Sequence, residues 1–262
     1  MTGPVARAGG SFRRAGARRG GDRGRAGGDG AAPEPVAGSV PAMEGTRIVL
    51  VRHGESRAQE LRIVGGHKGC QGLSDLGRRQ VQALRDRWDA GLELDDDPVL
   101  YASVMPRAVE TATILAPALG GPQIAQDCDL CEHHPGEGDG LPWDEFDERY
   151  PVPESGWDVH MRRDPGGETW HEMAERVKAG LDRLVERHPG RTVVVACHGG
   201  VIVQSMIRWF GLEPGGGRDR AWFSPVNASV TEWRYGPNPY GRRTAAWELV
   251  RFNDHAHLAG LT

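Results

Sequence analysis

Two short apolar runs, each ending in His-Gly, constrain the fold of this chain more than any other feature. Ile48-Val49-Leu50-Val51 runs into Arg52-His53-Gly54-Glu55, and Thr192-Val193-Val194-Val195-Ala196 runs into Cys197-His198-Gly199-Gly200. Runs of this length, mostly β-branched and halted abruptly by polar residues, read as strands buried on both faces in a parallel sheet. In open α/β sheets the ligand crevice lies at the carboxyl ends of the strands. The two runs therefore carry two imidazoles, the Arg52 guanidinium and the Glu55 carboxylate towards a crevice.

Strand and helix signals alternate through the rest of the chain. Ser74 can cap a helix continuing through Arg78 to Ala90, with Val81, Leu84 and Trp88 at spacings of three and four. Pro98 to Ser103 reads as a strand, and Pro106 opens a helix with Ala108, Thr111, Ala112 and Leu115 on one face. A short extended segment starts at Gln123-Ile124-Ala125. Periodicity is then lost from His133 to Gly167, which reads as an insertion over the crevice, or lid. Glu168 to Glu186 and Val201 to Phe210 read as helices, and Ser229–Trp233 and Ala246–Phe252 as strands. This alternation predicts a three-layer α/β/α sandwich with a mainly parallel sheet.

The first 42 residues are a different material, built of Gly, Ala, Arg and Pro with Phe12 as their one aromatic. Such a segment cannot bury enough apolar surface to offset its ordering entropy, so a disordered tail is expected for 1–42 and a folded domain for 43–262. Met43, just before the first strand, is a second place where translation could begin. The tail carries about +4 while the whole chain is −4, which leaves an acidic body. Nucleic acid is therefore not an expected partner; the Arg/Gly tail is the one hint of it. No stretch has the length to span a bilayer, and no apolar core follows the Arg-Arg pairs as a secretory signal needs. Cys70, Cys128, Cys131 and Cys197 lack a disulfide-framework spacing, so a cytoplasmic location is expected. Cys128-Asp-Leu-Cys131-Glu-His133-His134 lacks the second Cys pair of a structural zinc site, and no metal is expected there.

A neutral imidazole attacks phosphorus without first losing a proton. The reaction then needs positive charge around the phosphoryl oxygens and a proton for the departing alcohol. Arg52, His198 and the amides of two helix starts can supply the charge. Arg107 sits in the first turn of a helix, where a cation opposes the helix dipole. Its placement makes sense if it and the helix terminus both face a bound anion. No metal motif and no Walker-type glycine loop is present, so neither metal nor cofactor is expected in the reaction.

Several ordered motifs together resemble the histidine phosphatase superfamily, the phosphoglycerate-mutase-like enzymes. They are Arg47-Ile-Val-Leu-Val-Arg-His-Gly-Glu-Ser56, Gly72-Leu-Ser-Asp-Leu-Gly-Arg-Arg-Gln80, Tyr101-Ala-Ser-Val-Met-Pro-Arg-Ala-Val-Glu-Thr-Ala112, Leu130-Cys-Glu132 with Gly136 and Gly140, Gly166-Gly-Glu-Thr169, Val195-Ala-Cys-His-Gly-Gly200 and Asn227-Ala-Ser-Val230. The resemblance implies that His53 is phosphorylated, that Arg52, Arg107 and His198 clamp the phosphoryl group, and that Glu132 is the general acid and base. Glu137 is a rival for that last role. Gln59 stands where many members carry a phosphate-contacting asparagine and is expected to make that phosphate contact through its longer amide, and Cys70 and Gly72 replace an acid and a proline.

The expected reaction is hydrolysis of a small-molecule phosphomonoester. A cofactor-dependent phosphoglycerate mutase and a non-catalytic phosphate-binding scaffold are the alternatives. The lid is acidic (Asp139, Asp144, Glu145, Asp147, Glu148, Asp158), which disfavours the bisphosphate a mutase must hold; Arg162 and Arg163 are its counterweight. Trp143, Phe146, Tyr150, Trp157 and Met161 are either substrate contacts or a small core beneath the lid. Trp233, Tyr235 and Tyr240 leave room for a homodimer interface.

Overall fold

The computed structural model describes residues 44–91, 93–94, 97–154, 156–213, 221–241 and 244–261. The tail expected to be disordered, 1–42, and the alternative start at Met43 lie outside the described residues.

The first apolar run forms β1 (Arg47–Arg52), and the second forms β4 (Thr192–Cys197). Between them come α1 (Arg57–Glu60), α2 (Asp75–Ala90), β2 (Val99–Ala102), α3 (Pro106–Leu115), β3 (Ile124–Gln126), α4 (Trp143–Arg149) and α5 (Trp170–Arg187). After β4 follow α6 (Gly199–Phe210), β5 (Val230–Pro237) and β6 (Ala245–Asp254). The six strands form one sheet in the order β3-β2-β4-β1-β5-β6. The four on the β3 side run parallel, and β5 and β6 are antiparallel.

Strand alternation assigns each residue to one of two cores. Ile48, Leu50, Val193 and Val195 pack with Met173, Val177, Leu181 and Leu184 of α5 and Val201, Ile202 and Met206 of α6. Val49, Val51, Val194 and Ala196 face the other way, against Val81, Leu84 and Trp88 of α2 and Ala112 and Leu115 of α3. Successive strand side chains point to opposite faces, so a strand apolar at every position must be covered twice. The three layers follow.

Helix starts carry their own signals. Ser74 accepts from the Gly77 amide, and Thr169 forms a capping box with Glu172. The C-terminal aromatics correct one expectation. Trp233 is fully buried on the α6 face of β5, where its indole N–H donates to Ser205 Oγ and its ring meets Trp209 and Phe210. It cannot line a dimer interface. Tyr235 packs edge-on against Trp247, and Tyr240 alone of the three is exposed. No helix among the described residues is long and apolar enough to cross a membrane.

Candidate active site

β4 enters the sheet between β1 and β2, and the β1–β4 register pairs Arg52 with Cys197. The residue after each strand is then a histidine, and the two rings lie 5.1 Å apart, edge to face. The His53 amide donates to Cys197 O at 2.9 Å, which locks the two strand ends together.

His53 is buried, and its ring is oriented at both nitrogens. Nδ1 lies 2.6 Å from Gly54 O, a carbonyl that can only accept, so Nδ1 carries the proton. Nε2 is thereby left with a lone pair, and it accepts from Arg107 Nε at 3.1 Å. Gly54 is required by packing: a Cβ there would stand 2.4 Å from Gly77 O. Its amide donates to Thr111 Oγ1, which donates in turn to Arg107 O one turn earlier on α3.

His198 has a complementary arrangement. Its Nε2 lies 2.6 Å from Ser103 Oγ, and that oxygen already accepts from the Met105 amide. The pair accommodates the tautomer in which the Ser103 hydroxyl donates to Nε2 and Nδ1 carries the ring proton. Among the described residues no polar partner reaches the buried Nδ1. A buried donor left this way suits an anion's oxygen. Arg52 Nε is buried and without a partner in the same sense, while its NH1 donates to Pro225 O. Arg107, also buried, donates from NH1 to Gly65 O at 2.7 Å.

Burial, with Arg107 and Arg52 nearby, holds both imidazoles well below the usual histidine pKa. For His198, His53 adds to the effect. Both rings are therefore neutral near pH 7, the state in which Nε2 of His53 is a nucleophile. Burial also lowers the Arg52 pKa, against the opposing pull of Glu132.

Glu132 reaches this group from the loop after β3. One carboxylate oxygen accepts from the Gly200 amide at 3.0 Å, in the first turn of α6, and the other from the His133 amide at 3.0 Å. A Cβ at 200 would stand 2.1 Å from Glu132 Oε1 and would displace the carboxylate from this position. Of the two helix starts expected to serve an anion, the α6 amide at Gly200 thus serves Glu132. Glu132 borders a cavity of about 540 Å³ with Arg52, Gly199, Trp222 and Phe223. It also borders a second, of about 340 Å³, with Trp143, Phe146, Trp157 and Met161. Its rival Glu137 is exposed and meets the Tyr150 hydroxyl instead.

The structure brings His53, His198, Arg52, Arg107 and Glu132 together, while Gln59 and Glu55 are engaged with other partners. Gln59 caps α1 through Ser56 and exchanges amide hydrogen bonds with Asn227, which donates to His53 O. Glu55, carried to the crevice by the strand reading, instead accepts from the Ser74 hydroxyl at the start of α2. The lid arginines are likewise engaged. Arg162 pairs with Glu172, and Arg163 pairs with Asp147 while its guanidinium lies 4.5 Å from the centre of the Phe146 ring. Phe146 is buried, whereas Trp143 and Trp157 are exposed enough to touch a ligand.

Sequence reasoning gave no role to Arg176. From α5 its guanidinium donates to the carbonyls of Cys128, Asp129, Cys131 and Glu132, and pairs with Glu168 at 2.8 Å. It therefore fixes the loop that presents the acid. In the same loop Cys128, Cys131 and His134 converge with His67, the one group among the described residues able to hold a metal.

The sequence profile of the histidine phosphatase superfamily (branch 1) matches residues 48–254. A metal-independent phosphoserine phosphatase of Arabidopsis thaliana is 29% identical over 222 residues, 83% of this chain and 85% of that protein. Phosphoglycerate mutase-like protein 4 of the same plant is 34% identical over 59% of this chain and 67% of its own length. Among solved structures, Bacillus stearothermophilus YhfR superposes with a TM-score of 0.67 at 26% identity, covering 81% of this chain and 99% of that one. A mycobacterial glucosyl-3-phosphoglycerate phosphatase, solved with VO3, gives 0.63 at 25% identity over 79% and 98%. With a profile match spanning both strand-end histidines and the acid's loop, this chain belongs to the histidine phosphatase superfamily.

Proposed function

We propose that the protein is a phosphomonoester hydrolase working through a phosphohistidine at His53. The observation that carries this reading is the His53 Nε2 lone pair, buried among Arg107, Arg52 and His198 at the end of β1. Nε2 attacks phosphorus as the P–O bond to the alcohol breaks, and protonated Glu132 gives its proton to the departing oxygen. Glu132, now a carboxylate, takes a proton from water. The water oxygen attacks phosphorus, the P–N bond breaks, and inorganic phosphate leaves. Arg107, which rests on Nε2, moves its hydrogen bonds to the phosphoryl oxygens, joined by Arg52 Nε and His198 Nδ1. No metal takes part in these steps.

The relatives named as phosphatases support hydrolysis, and their printed substrates, phosphoserine and glucosyl-3-phosphoglycerate, are both small phosphate monoesters. A mutase must hold a bisphosphate. Here the two lid arginines that could meet a second phosphate are engaged with Glu172 and Asp147, which favours hydrolysis. The non-catalytic alternative would not need all five site residues in place.

The test is a screen of phosphate monoesters with wild type and His53→Ala, together with acid quenching to trap a base-stable, acid-labile phosphoenzyme. Hydrolysis by wild type that vanishes in the variant is the expected result. Equal rates in the two proteins would overturn the assignment. Isomerisation of 3-phosphoglycerate, stimulated by 2,3-bisphosphoglycerate, would move it to the mutase.

A further inference from the structure

We infer that His67, Cys128, Cys131 and His134 form a structural Zn²⁺ site that ties the acid-bearing loop to the loop after α1. The Cys-x-x-Cys lacks a second cysteine pair in sequence, which led to the expectation of no metal. The fold instead supplies His67 from 61 residues upstream, and His134 from the same loop. One donor atom from each residue lies within 4.8 Å of the other three. Cys128 Sγ is 3.8 Å from His67 Nε2 and 3.7 Å from His134 Nε2, and the two imidazole centres are 5.1 Å apart. A tetrahedral ion with Zn–S near 2.3 Å and Zn–N near 2.0–2.1 Å sets S···N at roughly 3.5–3.6 Å, close to both values. The two sulfurs lie 2.8 Å apart and must open to about 3.7 Å around such an ion. Cys128 is half-buried, so a small rotation of its side chain provides this.

The donor chemistry selects the metal. Two thiolates and two imidazoles suit Zn²⁺ and exclude the hard cations Mg²⁺ and Ca²⁺. Two thiol protons leave as the ion enters. With four protein ligands no position stays open for water or substrate, so the ion is structural.

Both ligand loops are held independently of any metal. Asp139 accepts from the amides of Gly66, Lys68 and Gly69, which brackets His67. Arg176 grips the carbonyls of Cys128, Asp129 and Cys131, and Glu168 accepts from the His134 amide. Such outer-shell support is what metal sites need to present their ligands. The first loop also carries Gly65 O, which anchors Arg107, and the second carries Glu132. One ion would thus join the backbone behind the phosphate clamp to the backbone behind the acid.

The full-length protein, reduced with a phosphine and handled without oxygen, is offered Zn²⁺, and bound metal is measured after gel filtration. The expected result is one tight equivalent, with two protons released. Co²⁺ exchanged into the site should show the visible bands of tetrahedral coordination and a near-ultraviolet thiolate charge-transfer band, the latter about halved in Cys128→Ser. Cys131 is buried and its replacement could unfold the chain, so the fourth ligand is tested at exposed His67. Loss of an outer-shell partner already weakens metal sites by about 10–100-fold, so His67→Ala should weaken binding by at least tenfold. Failure of the reduced, folded protein to retain Zn²⁺, an octahedral Co²⁺ spectrum, or undiminished affinity in His67→Ala would overturn the proposal. So would a native protein without metal whose intact mass shows Cys128 and Cys131 joined as a disulfide.

Discussion

The two halves of the proposed catalytic group are built by different means. His53, His198 and Arg52 sit at strand ends, and their relative position is set by the β1–β4 register, with Arg107 added from the first turn of α3. Glu132 sits on a loop, next to buried Leu130 and Cys131, and its own polar groups are held by Arg176 on its carbonyl and by Gly200 and His133 on its carboxylate. A clamp for a phosphoryl group must be rigid and dry, which close-packed strands provide. The proposed acid, which would pass a proton to leaving groups of different shape, is better carried by a loop than by a strand.

The largest expected effect strikes the rigid half. His53→Ala should lower kcat/KM by roughly 10⁴-fold or more and abolish the trapped phosphoenzyme, since it removes the proposed nucleophile. Residual turnover with a new labelled residue, mapped by peptide mass, would break the division of labour. Glu132→Gln should cost about 10²–10⁴-fold on alkyl phosphates and much less on an aryl phosphate, whose leaving group departs without a proton. An equal loss on both would move Glu132 from proton transfer to the clamp.

Arg176→Met tests whether the loop half depends on its polar support. It leaves Glu168 half-buried without its partner and removes donors from four carbonyls, at a cost of roughly 2–4 kcal/mol in denaturant unfolding. Activity should fall with the Glu132 signature, alkyl substrates suffering more than aryl ones, while inhibition by vanadate stays unchanged. A weakened vanadate affinity would show that the two halves are not separable.

The smallest effect concerns pH. His53 and His198 have folded-state pKa values held well below 6.5, and burial lowers that of His257 to about 4. Folding therefore disfavours protonation of these rings. The stability present above pH 6.5 should be lost progressively as pH falls towards 4. Chemical unfolding across that range measures it, and stability that rises towards pH 4 would contradict the buried neutral rings. The activity profile should likewise show no acid limb at pH 6.5.

Legibility in the sequence followed the same division. β1 and β4 were readable because a strand buried on both faces leaves an uninterrupted apolar run, and His53 and His198 follow directly. Arg107 was readable because a cation in a first helical turn is out of place without an anion. Trp233 was misread because Glu232 and Arg234 flank it, and the flanking charges resemble a solvent-facing segment; Glu232 is in fact buried against Arg47 and Arg251. Arg176 and His67 gave no signal. A helix arginine and a loop histidine look the same whether they face water or grip a loop from another part of the chain.

The place of β4 between β1 and β2 also governs how the molecule comes into being. During synthesis β1, α2, β2 and α3 emerge well before β4, with two strands whose inner edges have no neighbour to pair with. Unpaired edges of this kind invite association with other chains. The late strand both closes that gap and sets His198 beside His53. A nascent chain released before residue 192 would therefore be aggregation-prone and would lack the paired histidines, which the sheet brings together only once β4 has entered it.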